Sequence, residues 1–371
     1  MMNEIFAPVR IGRLDLPNRL AMAPMTRSRA TADGGLVSEL TAEYYAQRAT
    51  AALIVSEGTQ PSVRAQGYIQ TPGIHTAAQI DAWRKVTDRV HAADGRIFLQ
   101  LLHSGRVGHP YLYPDGGLPE APSALVSGES LFTLDRGMLP HPVPRELTAD
   151  DIGEIVRDFA AGARNAIEAG FDGVELHGAN GYLIHQFLSG NSNHRTDAYG
   201  GPVENRVRFA VESVRAVSEA IGADRTALRI SPGNEANGVA ETDTAELYAA
   251  LLAALAPYPL AYLHTLEAHP GLRGVTEQVR RGWAGPLMLN SAHHGGGDPV
   301  ADAAELVAAG TADLVALGAR WLANPDLLDR ARAGGPYNEA DEATYYGGDH
   351  RGYTDYPSLT PLAPAPASAA G

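Results

Sequence analysis

The fold is decided by the stretch FDGVELHGANGY at residues 171–182. The apolar run 171–176 follows a long amphipathic segment and stops abruptly, which predicts a short buried parallel strand in a repeating βα arrangement. His177 and Asn180 come directly after it and are three residues apart, so a single helical turn would place both side chains on one side. Two such hydrogen-bonding groups could hold one oxygen atom, and the nearby Tyr182 offers a proton.

Similar apolar runs alternate with helical patterns along the chain. Eight strands, each followed by a helix, predict an α/β protein with a single (β/α)8 TIM barrel over residues 1–360. No G-x-G-x-x-G motif follows a strand, so a Rossmann fold has no support. The predicted strands are 19–25, 52–57, 96–102, 171–176, 226–231, 261–265, 286–290 and 313–317, and the helical patterns are 76–92 (opening with a Thr76–Gln79 capping box), 150–169, 204–221 and 299–309.

Three segments lie outside this repeat. Residues 5–16 are typical of a small hairpin ahead of the first strand, which we expect to close the barrel floor. The connection 104–147, after strand three, is rich in Pro, Gly and Tyr, and its length favours a lid or binding loop over a tolerated surface excursion. The tail 361–371 is rich in Pro and Ala, and we predict it to be disordered.

The composition excludes several classes of function. The net charge of -14 argues against nucleic acid or an anionic membrane as the main partner. The absence of cysteine excludes disulfides, thiolate nucleophiles and iron–sulfur clusters. The first twelve residues contain no signal-like segment, and the richest apolar run, 249–263, is interrupted by Pro257 and Pro259. We therefore expect a soluble cytoplasmic monomer or homodimer whose partner is a small molecule.

Active sites of this architecture lie at the carboxyl ends of the strands. The residues there include few acids, no His-x-His pair and no lysine, which disfavours a metal hydrolase or a Schiff-base aldolase and predicts no metal site. What remains is a hydrogen-bonding set with one cation, and this set suits an organic cofactor. The strand-end residues are Pro24-Met25-Thr26, Glu57-Gly58, Gln100, His177 with Asn180, Arg229, His264, Asn290-Ser291 and Gly318.

Nine stretches, taken in order, give the chain a specific resemblance. Over nearly its whole length it resembles the Old Yellow Enzyme family of FMN-dependent ene-reductases, and Thr26 in place of a cysteine resembles the classical branch. The matching stretches are MAPMTRSRA (22–30), YYAQRA (44–49), LIVSEGT (53–59), FLQLLHSGR (98–106), HGANGYLIHQFL (177–188), RTDAYGGPVENR (195–206), RISP (229–232), ANPDL (323–327) and GYTDYP (352–357).

The resemblance implies FMN as the cofactor, bound across the barrel mouth. Pro24 and Thr26 would approach the flavin, with Thr26 hydrogen-bonded to its carbonyl. Gln100 would bond the pyrimidine edge, and Gly58 would let the backbone come close to the ring. Arg229 would lie beside N1 and the C2 oxygen, where negative charge collects in the reduced cofactor.

The resemblance also implies the reaction. NADPH would reduce the flavin and leave, and an α,β-unsaturated carbonyl or nitro compound would then enter the same site in a ping-pong cycle. His177 and Asn180 would grip its oxygen, flavin N5 would deliver hydride to the β-carbon, and Tyr182 would protonate the α-carbon. Tyr68 and Tyr346 match aromatic positions that line the substrate cavity, although they could equally serve as wall packing. Leu102 replaces a tryptophan that many classical members carry, so we expect a differently shaped pocket.

The sequence departs from the family where the FMN phosphate is expected. The family uses backbone amides of a glycine-containing turn after strand seven and an arginine of a Gly-Arg pair after strand eight. Here Ser291 and Ala292 begin the first segment, Ala319 occupies the arginine position, and Arg320 stands one residue late. We expect weakened rather than abolished binding, with compensation from Ser291, from residues 293–297 or from Arg320.

Two alternative functions follow from these departures. The chain could be a flavin-dependent isomerase or desaturase in small-molecule biosynthesis. It could also be a flavin-poor, non-catalytic barrel that binds phenolic or enone ligands, although the intact set of His177, Asn180, Tyr182 and Arg229 argues against this reading.

Overall fold

A computed structural model describes residues 2–291 and 297–359. Eight parallel strands follow one another around a closed barrel, and the last pairs with the first. The predicted (β/α)8 barrel is therefore confirmed. The barrel strands are β1 (Leu20–Met22), β2 (Ile54–Val55), β3 (Ile97–Leu101), β4 (Gly173–Gly178), β5 (Thr226–Ile230), β6 (Tyr262–Glu267), β7 (Leu287–Ser291) and β8 (Leu314–Leu317).

Helices surround the barrel in the described ranges. The Thr76–Gln79 capping box is present, since the Gln79 backbone N–H donates to Thr76 Oγ1 over 3.2 Å and the Thr76 N–H donates to Gln79 Oε1 over 3.0 Å. The pattern 204–221 forms two helices rather than one. The α-helices are α1 (Glu39–Ala46), α2 (Ala77–Ala92), α3 (Ala149–Glu168), α4 (Leu183–Leu188), α5 (Val203–Arg206), α6 (Arg208–Ile221), α7 (Thr244–Leu255), α8 (Arg273–Gly282), α9 (Pro299–Ala308), α10 (Ala319–Ala323) and α11 (Leu327–Ala333).

No helix within residues 2–291 or 297–359 combines the length and the apolar character needed to cross a bilayer.

The barrel interior changes from apolar to polar along the strands. Side chains alternate between the two faces of a strand, so every second residue points inward. Near the amino ends these residues form a buried apolar cluster that includes Phe98, Tyr262 and Met288. Further along β4 the same alternation brings Glu175 and then His177 inward. The polar end of the interior is therefore at the carboxyl ends of the strands, where active sites of this architecture lie.

The barrel floor is closed by the predicted N-terminal hairpin. Strands Val9–Ile11 and Leu14–Leu16 pair antiparallel, with Val9 opposite Leu16. Ile11 and Leu16 are fully buried in the same apolar cluster as the lower barrel interior. The floor is thus sealed by hydrophobic packing, and the opposite end of the barrel remains available for a site.

The long connection 104–147 has secondary structure of its own. Strand Glu120–Ala121 pairs with Arg145–Glu146, and between them Ser130–Thr133 and Gly137–Pro140 form an antiparallel hairpin. We call residues 130–140 the lid hairpin, because several of its side chains line the cavity described below. Part of the connection therefore lines the cavity, and its role as a lid stays a prediction.

Gly173 opens β4 and provides a test of how tightly the barrel packs. A Cβ atom added there would lie 2.4 Å from Phe98 Cζ and 2.5 Å from the Arg225 carbonyl oxygen. We expect Gly173→Ala to lower the free energy of unfolding by about 1–3 kcal/mol, because the closed barrel cannot move aside. The measurement is urea unfolding followed by circular dichroism.

A matched control is Gly153→Ala, in the interior of α3. Its added Cβ would meet only the flexible end of Arg157, at 3.5 Å. Replacing a helical glycine by alanine should raise stability by about 0.5–1 kcal/mol. Equal stability of Gly173→Ala and the wild type would contradict the packing described for β4.

Candidate active site

A cavity of about 920 Å³ opens at the carboxyl ends of the barrel strands. The strand ends form its floor, and the lid hairpin and residues 345–348 form its outer wall. Most of the residues predicted from the sequence for the site line this one cavity. Those that do are Pro24, Thr26, Tyr68, Gln100, Leu102, His177, Asn180, Tyr182, Arg229, Ala319 and Tyr346.

His177 lies near the end of β4, opposite Arg229 of β5 in the parallel register. Its Nδ1 accepts a hydrogen bond from the Ala179 backbone N–H over 3.3 Å. Burial, followed by the charge of Arg229, holds the pKa of His177 well below its ordinary value. The ring is therefore neutral, and because Nδ1 is an acceptor, the proton resides on Nε2, which can donate to a ligand.

Asn180 adopts a left-handed backbone conformation, with φ at +56°. The prediction that His177 and Asn180 share a helical turn is therefore wrong, since His177 belongs to a strand. Asparagine tolerates this conformation better than most residues. The Asn180 backbone N–H donates to Ser231 Oγ over 2.9 Å, and its side-chain Oδ1 accepts from Asn234 Nδ2 over 3.0 Å. The two predicted donors still line the same cavity, through a tight turn rather than a helix.

The turn that carries Asn180 packs closely against the loop after β5. Gly181 has φ of +71°, and a Cβ atom there would lie 2.1 Å from the carbonyl oxygen of Ala236. Asn237 Nδ2 donates to the Asn180 carbonyl oxygen over 2.7 Å. Only glycine satisfies both the backbone angle and the close approach, so this contact fixes the position of Asn180.

Tyr182 precedes α4 and faces two aromatic neighbours. Its hydroxyl lies 2.9 Å from the hydroxyl of Tyr68, and its ring packs edge-on to His177 with centroids 4.9 Å apart. Burial, together with the neighbouring Tyr68, raises the pKa of Tyr182 well above its ordinary value. The hydroxyl is therefore protonated at neutral pH, and Tyr68 is its hydrogen-bonding neighbour.

Arg229 is almost fully buried at the end of β5. Its Nη2 donates to Asn290 Oδ1 over 2.8 Å, and the amide of Asn290 is oriented by donating to the Ala316 carbonyl over 3.0 Å. Among the described residues, the buried Nε of Arg229 has no hydrogen-bond partner. Burial lowers the pKa of Arg229, while Glu175 opposes this shift, and an arginine remains charged across the physiological range. The site therefore contains a fixed cation with a free donor.

Glu175 is a buried neighbour of the predicted site residues that was not itself predicted from the sequence. Its side chain is inaccessible to solvent and accepts from Gln100 Nε2 over 2.8 Å, Tyr262 Oη over 3.0 Å and the Nδ1 atom of His264 over 2.8 Å. Burial alone would raise the pKa of Glu175, but His264 and Arg229 outweigh it, and the pKa lies below its ordinary value. The sequence signal that could have identified Glu175 was an acidic residue within an apolar strand, two positions before His177.

Gln100 is oriented by this carboxylate. Because Nε2 donates to Glu175, the other end of the amide, Oε1, is the acceptor that remains for a ligand. Gly58 lies next to it outside the cavity lining, and a Cβ atom there would be 2.7 Å from Leu102 Cδ2 and 3.6 Å from Gln100 Oε1. Glycine at this position therefore leaves room for Leu102 and Gln100 at the edge of the cavity.

Two of the residues expected near a phosphate, Ser291 and Arg320, do not line the cavity. Ser291 Oγ donates to Glu267 Oε1 over 3.2 Å, and Glu267 is paired in turn with Arg273 over 2.8 and 2.9 Å. The guanidinium carbon of Arg320 lies 4.7 Å from the ring centroid of Tyr337, and Arg320 is not part of the cavity lining. Ala292 lies outside the described residues, as do positions 293–296. Of this predicted group, the structure places Ala319 at the cavity.

Comparisons with known proteins identify the family to which this chain is related. The model of the NADH:flavin oxidoreductase / NADH oxidase family matches residues 4–338. A probable flavin mononucleotide-dependent alkene reductase of Leishmania infantum is 40% identical over 358 residues, covering 95% of this chain and 96% of the relative.

Two solved structures are also similar. Morphinone reductase in complex with tetrahydroNAD has 44% sequence identity and a TM-score of 0.91, and the match covers 96% of this chain and 98% of that one. An old yellow enzyme homologue from Zymomonas mobilis has 38% identity and a TM-score of 0.90, covering 95% of this chain and 99% of the other.

The fold, the polar strand ends and the comparisons define a flavin-dependent barrel oxidoreductase. The chain belongs to the NADH:flavin oxidoreductase / NADH oxidase family, as an FMN-dependent ene-reductase of the Old Yellow Enzyme type.

The described residues fit such a cofactor. The pyrimidine edge of a flavin carries acceptors at N1 and the C2 oxygen and a donor at N3. The buried, unpartnered Nε of Arg229 is a donor, and the Oε1 of Gln100 is an acceptor. These two groups are complementary to that edge.

Glu57 follows strand β2, contacts Arg27 of the cavity lining, and gives a pH-dependent test. It is 2% exposed and accepts from the Arg27 backbone N–H over 3.3 Å. Burial raises the pKa of Glu57 to about 7, against partial compensation by Arg27 and Arg29. The folded state therefore holds this proton more tightly than the unfolded state, so ionisation of Glu57 destabilises the fold as the pH rises.

We expect the wild type to lose up to about 3 kcal/mol of stability, relative to Glu57→Gln, between about pH 4.5 and 7. The glutamine has the same shape and does not titrate, so its variant should be the more stable protein above pH 7. Urea unfolding of both proteins at several pH values measures the difference. Parallel stability–pH curves for the two proteins would show that Glu57 titrates normally.

Proposed function

We propose that this protein reduces the C=C bond of α,β-unsaturated carbonyl or nitro compounds in a ping-pong cycle. The observation that carries the proposal is the fixed hydrogen-bonding state of three side chains in one cavity: His177 and Asn180 as donors, and Tyr182 as a protonated hydroxyl. When bound, FMN supplies the chemistry of accepting hydride from a nicotinamide nucleotide and passing it to the substrate.

His177 and Asn180 are proposed to bind the substrate oxygen. Hydride addition at the β-carbon leaves negative charge on that oxygen, and two donors fixed beforehand stabilise the charge more than they stabilise the neutral substrate. The neutral state of His177 matters, because its Nε2–H donates without needing a charged imidazolium in a buried site next to Arg229. Removing one such donor typically costs about 10²–10³ in rate.

Tyr182 is proposed to protonate the α-carbon. Its raised pKa keeps the proton in place until the substrate becomes basic. Tyr68, 2.9 Å away, is then positioned to hydrogen-bond to the oxygen that has lost its proton. This contact favours a role for Tyr68 beside the proton donor, in addition to its predicted place in the substrate wall.

The cofactor is proposed to be held at its pyrimidine edge by Gln100 and Arg229, with Pro24 and Thr26 at the end of β1. Arg229 would counter the negative charge that gathers at N1 and the C2 oxygen. Gly58, Ser291, Ala292, Ala319 and Arg320 remain predictions as cofactor contacts, as do Leu102 and Tyr346 as substrate contacts.

The reductant is proposed to be a nicotinamide nucleotide. The sequence resemblance implies NADPH, whereas the solved complex of morphinone reductase contains a NAD analogue. The ratio of kcat/KM for NADPH and NADH separates the two. The cytoplasmic location and the monomeric or dimeric state stay predictions.

The purified protein should be yellow. We expect a flavin absorbance spectrum that bleaches under anaerobic conditions with NADPH or NADH and recovers when cyclohexenone is added. Bleaching without recovery on enones would instead favour the isomerase or desaturase. A colourless protein that does not take up added FMN would contradict the proposal and favour the non-catalytic barrel.

Replacing Tyr182 by phenylalanine tests the proton donor. The variant retains the ring and loses the acidic hydrogen, so reoxidation by cyclohexenone should slow by about 10²–10⁴, while reduction by the nicotinamide changes little. Stopped-flow absorbance measures the two half-reactions separately. Tyr258→Phe, in the connection after α7, is the matched control and should behave as the wild type. Equal slowing of both half-reactions by Tyr182→Phe would remove its assignment as proton donor.

A further inference from the structure

The side-chain amide of Asn180 has two ends of nearly the same shape and opposite function. Nδ2 donates two hydrogen bonds, whereas Oδ1 only accepts. A substrate oxygen that gains negative charge is stabilised by the first and repelled by the second. The function proposed above, on which this inference rests, therefore requires one of two orientations that differ by a half-turn of the amide.

Hydrogen bonds in the loop after β5 select that orientation. The backbone N–H of Ala236 donates to Asn234 Oδ1 over 3.0 Å. A backbone N–H can only donate, so Oδ1 of Asn234 must face it, and the other end of that amide must be Nδ2. This Nδ2 donates to Asn180 Oδ1 over 3.0 Å. The Ala236 backbone N–H therefore sets the direction of this series of hydrogen bonds. As a result, Asn180 Nδ2 remains free to donate to a ligand.

Other contacts of Asn180 act on its backbone. Ser231 accepts from its N–H, and Asn237 donates to its carbonyl oxygen. These contacts hold the position of the residue but leave the rotation of the amide undetermined. Within residues 2–291 and 297–359, the hydrogen bond from Asn234 is the one made to the Asn180 side chain.

We propose that Asn234 is a positioning residue that orients the Asn180 amide with its donor end towards the bound oxygen. It does not line the cavity, and it acts through Asn180. Without the hydrogen bond from Asn234, the Asn180 amide would present Oδ1 to the substrate for part of the time. If residue 234 instead accepted a hydrogen bond from Asn180, the amide would present Oδ1 for most of the time.

Asn234→Asp reverses the preference with little change in shape. The new carboxylate still accepts from the Ala236 N–H, so the loop keeps its hydrogen bond. Because a carboxylate only accepts, it attracts Asn180 Nδ2 and turns Oδ1 towards the cavity. When the carboxyl is protonated at low pH, it can donate to Asn180 Oδ1 again and restore the original orientation.

The test uses the FMN-bound holoenzyme and 4-chlorophenol, whose oxygen is a probe for the donors. The dissociation constant is measured from the long-wavelength absorbance band, from pH 4.5 to 8.5, for the wild type and variants. We expect Asn180→Ala and Asn234→Asp to weaken binding at pH 8 by about ten- to a hundredfold, with unchanged affinity for FMN. Asn234→Asp should recover towards the wild type as the pH falls, and Asn180→Ala should not.

Two further variants separate orientation from charge and from folding. Asn234→Ala introduces no charge and should bind the phenol with an affinity between those of the wild type and Asn180→Ala. Glu235→Gln changes an exposed charge on the adjacent residue and should leave the affinity within about twofold of the wild type, because an exposed charge is well screened.

The inference is overturned if Asn234→Asp and Asn234→Ala bind the phenol as tightly as the wild type while Asn180→Ala does not. It is also overturned if Glu235→Gln strengthens binding as much as Asn234→Asp weakens it, since charge alone would then explain the effect. If Asn180→Ala itself binds normally, the oxygen-binding role in the proposed function is wrong, and this inference fails with it.

Discussion

A buried carboxylate organises the mouth of this barrel. Glu175 has no access to solvent, and ionised carboxylates are stable in such surroundings only when their oxygens are satisfied. Here three donors from β3 and β6 converge on it, and the charge of Arg229 lies nearby. Because the carboxylate accepts from Gln100 Nε2, the Oε1 atom of that amide remains as an acceptor for a ligand. The buried charge of Glu175 thereby orients Gln100, and this orientation determines which hydrogen bond Gln100 offers to a ligand.

Hydrogen-bonding roles are fixed in the same way in the loops that follow the strands. His177 donates through Nε2 because its Nδ1 accepts a hydrogen bond. Asn180 donates through Nδ2 because its Oδ1 accepts a hydrogen bond from Asn234. In both cases a backbone N–H, which cannot reverse its role, fixes the outcome. A site built this way has its hydrogen-bonding pattern set before any ligand arrives, which is the property that lowers a barrier when charge develops during a reaction.

Much of the fold could be predicted from the sequence because its signals are local and periodic. The apolar runs predicted the eight strands. The rule that active sites lie at the carboxyl ends of the strands predicted a shared location for His177, Gln100 and Arg229, and all three line one cavity. The hairpin strands within residues 104–147 were missed, since short strands at a surface show no sustained alternation. The left-handed turn at Asn180 was missed because its geometry depends on packing against Ala236, a contact distant in sequence. Asn234 carried no signal, because its role exists only through its two hydrogen-bonding neighbours.

A crystal structure of the FMN-bound protein with 4-chlorophenol would show whether His177 and Asn180 together bind the oxygen of a ligand. We expect the phenol oxygen to lie within about 3.2 Å of both His177 Nε2 and Asn180 Nδ2, with the ring above the flavin. A phenol bound in the cavity with its oxygen directed away from both nitrogens would contradict this expectation.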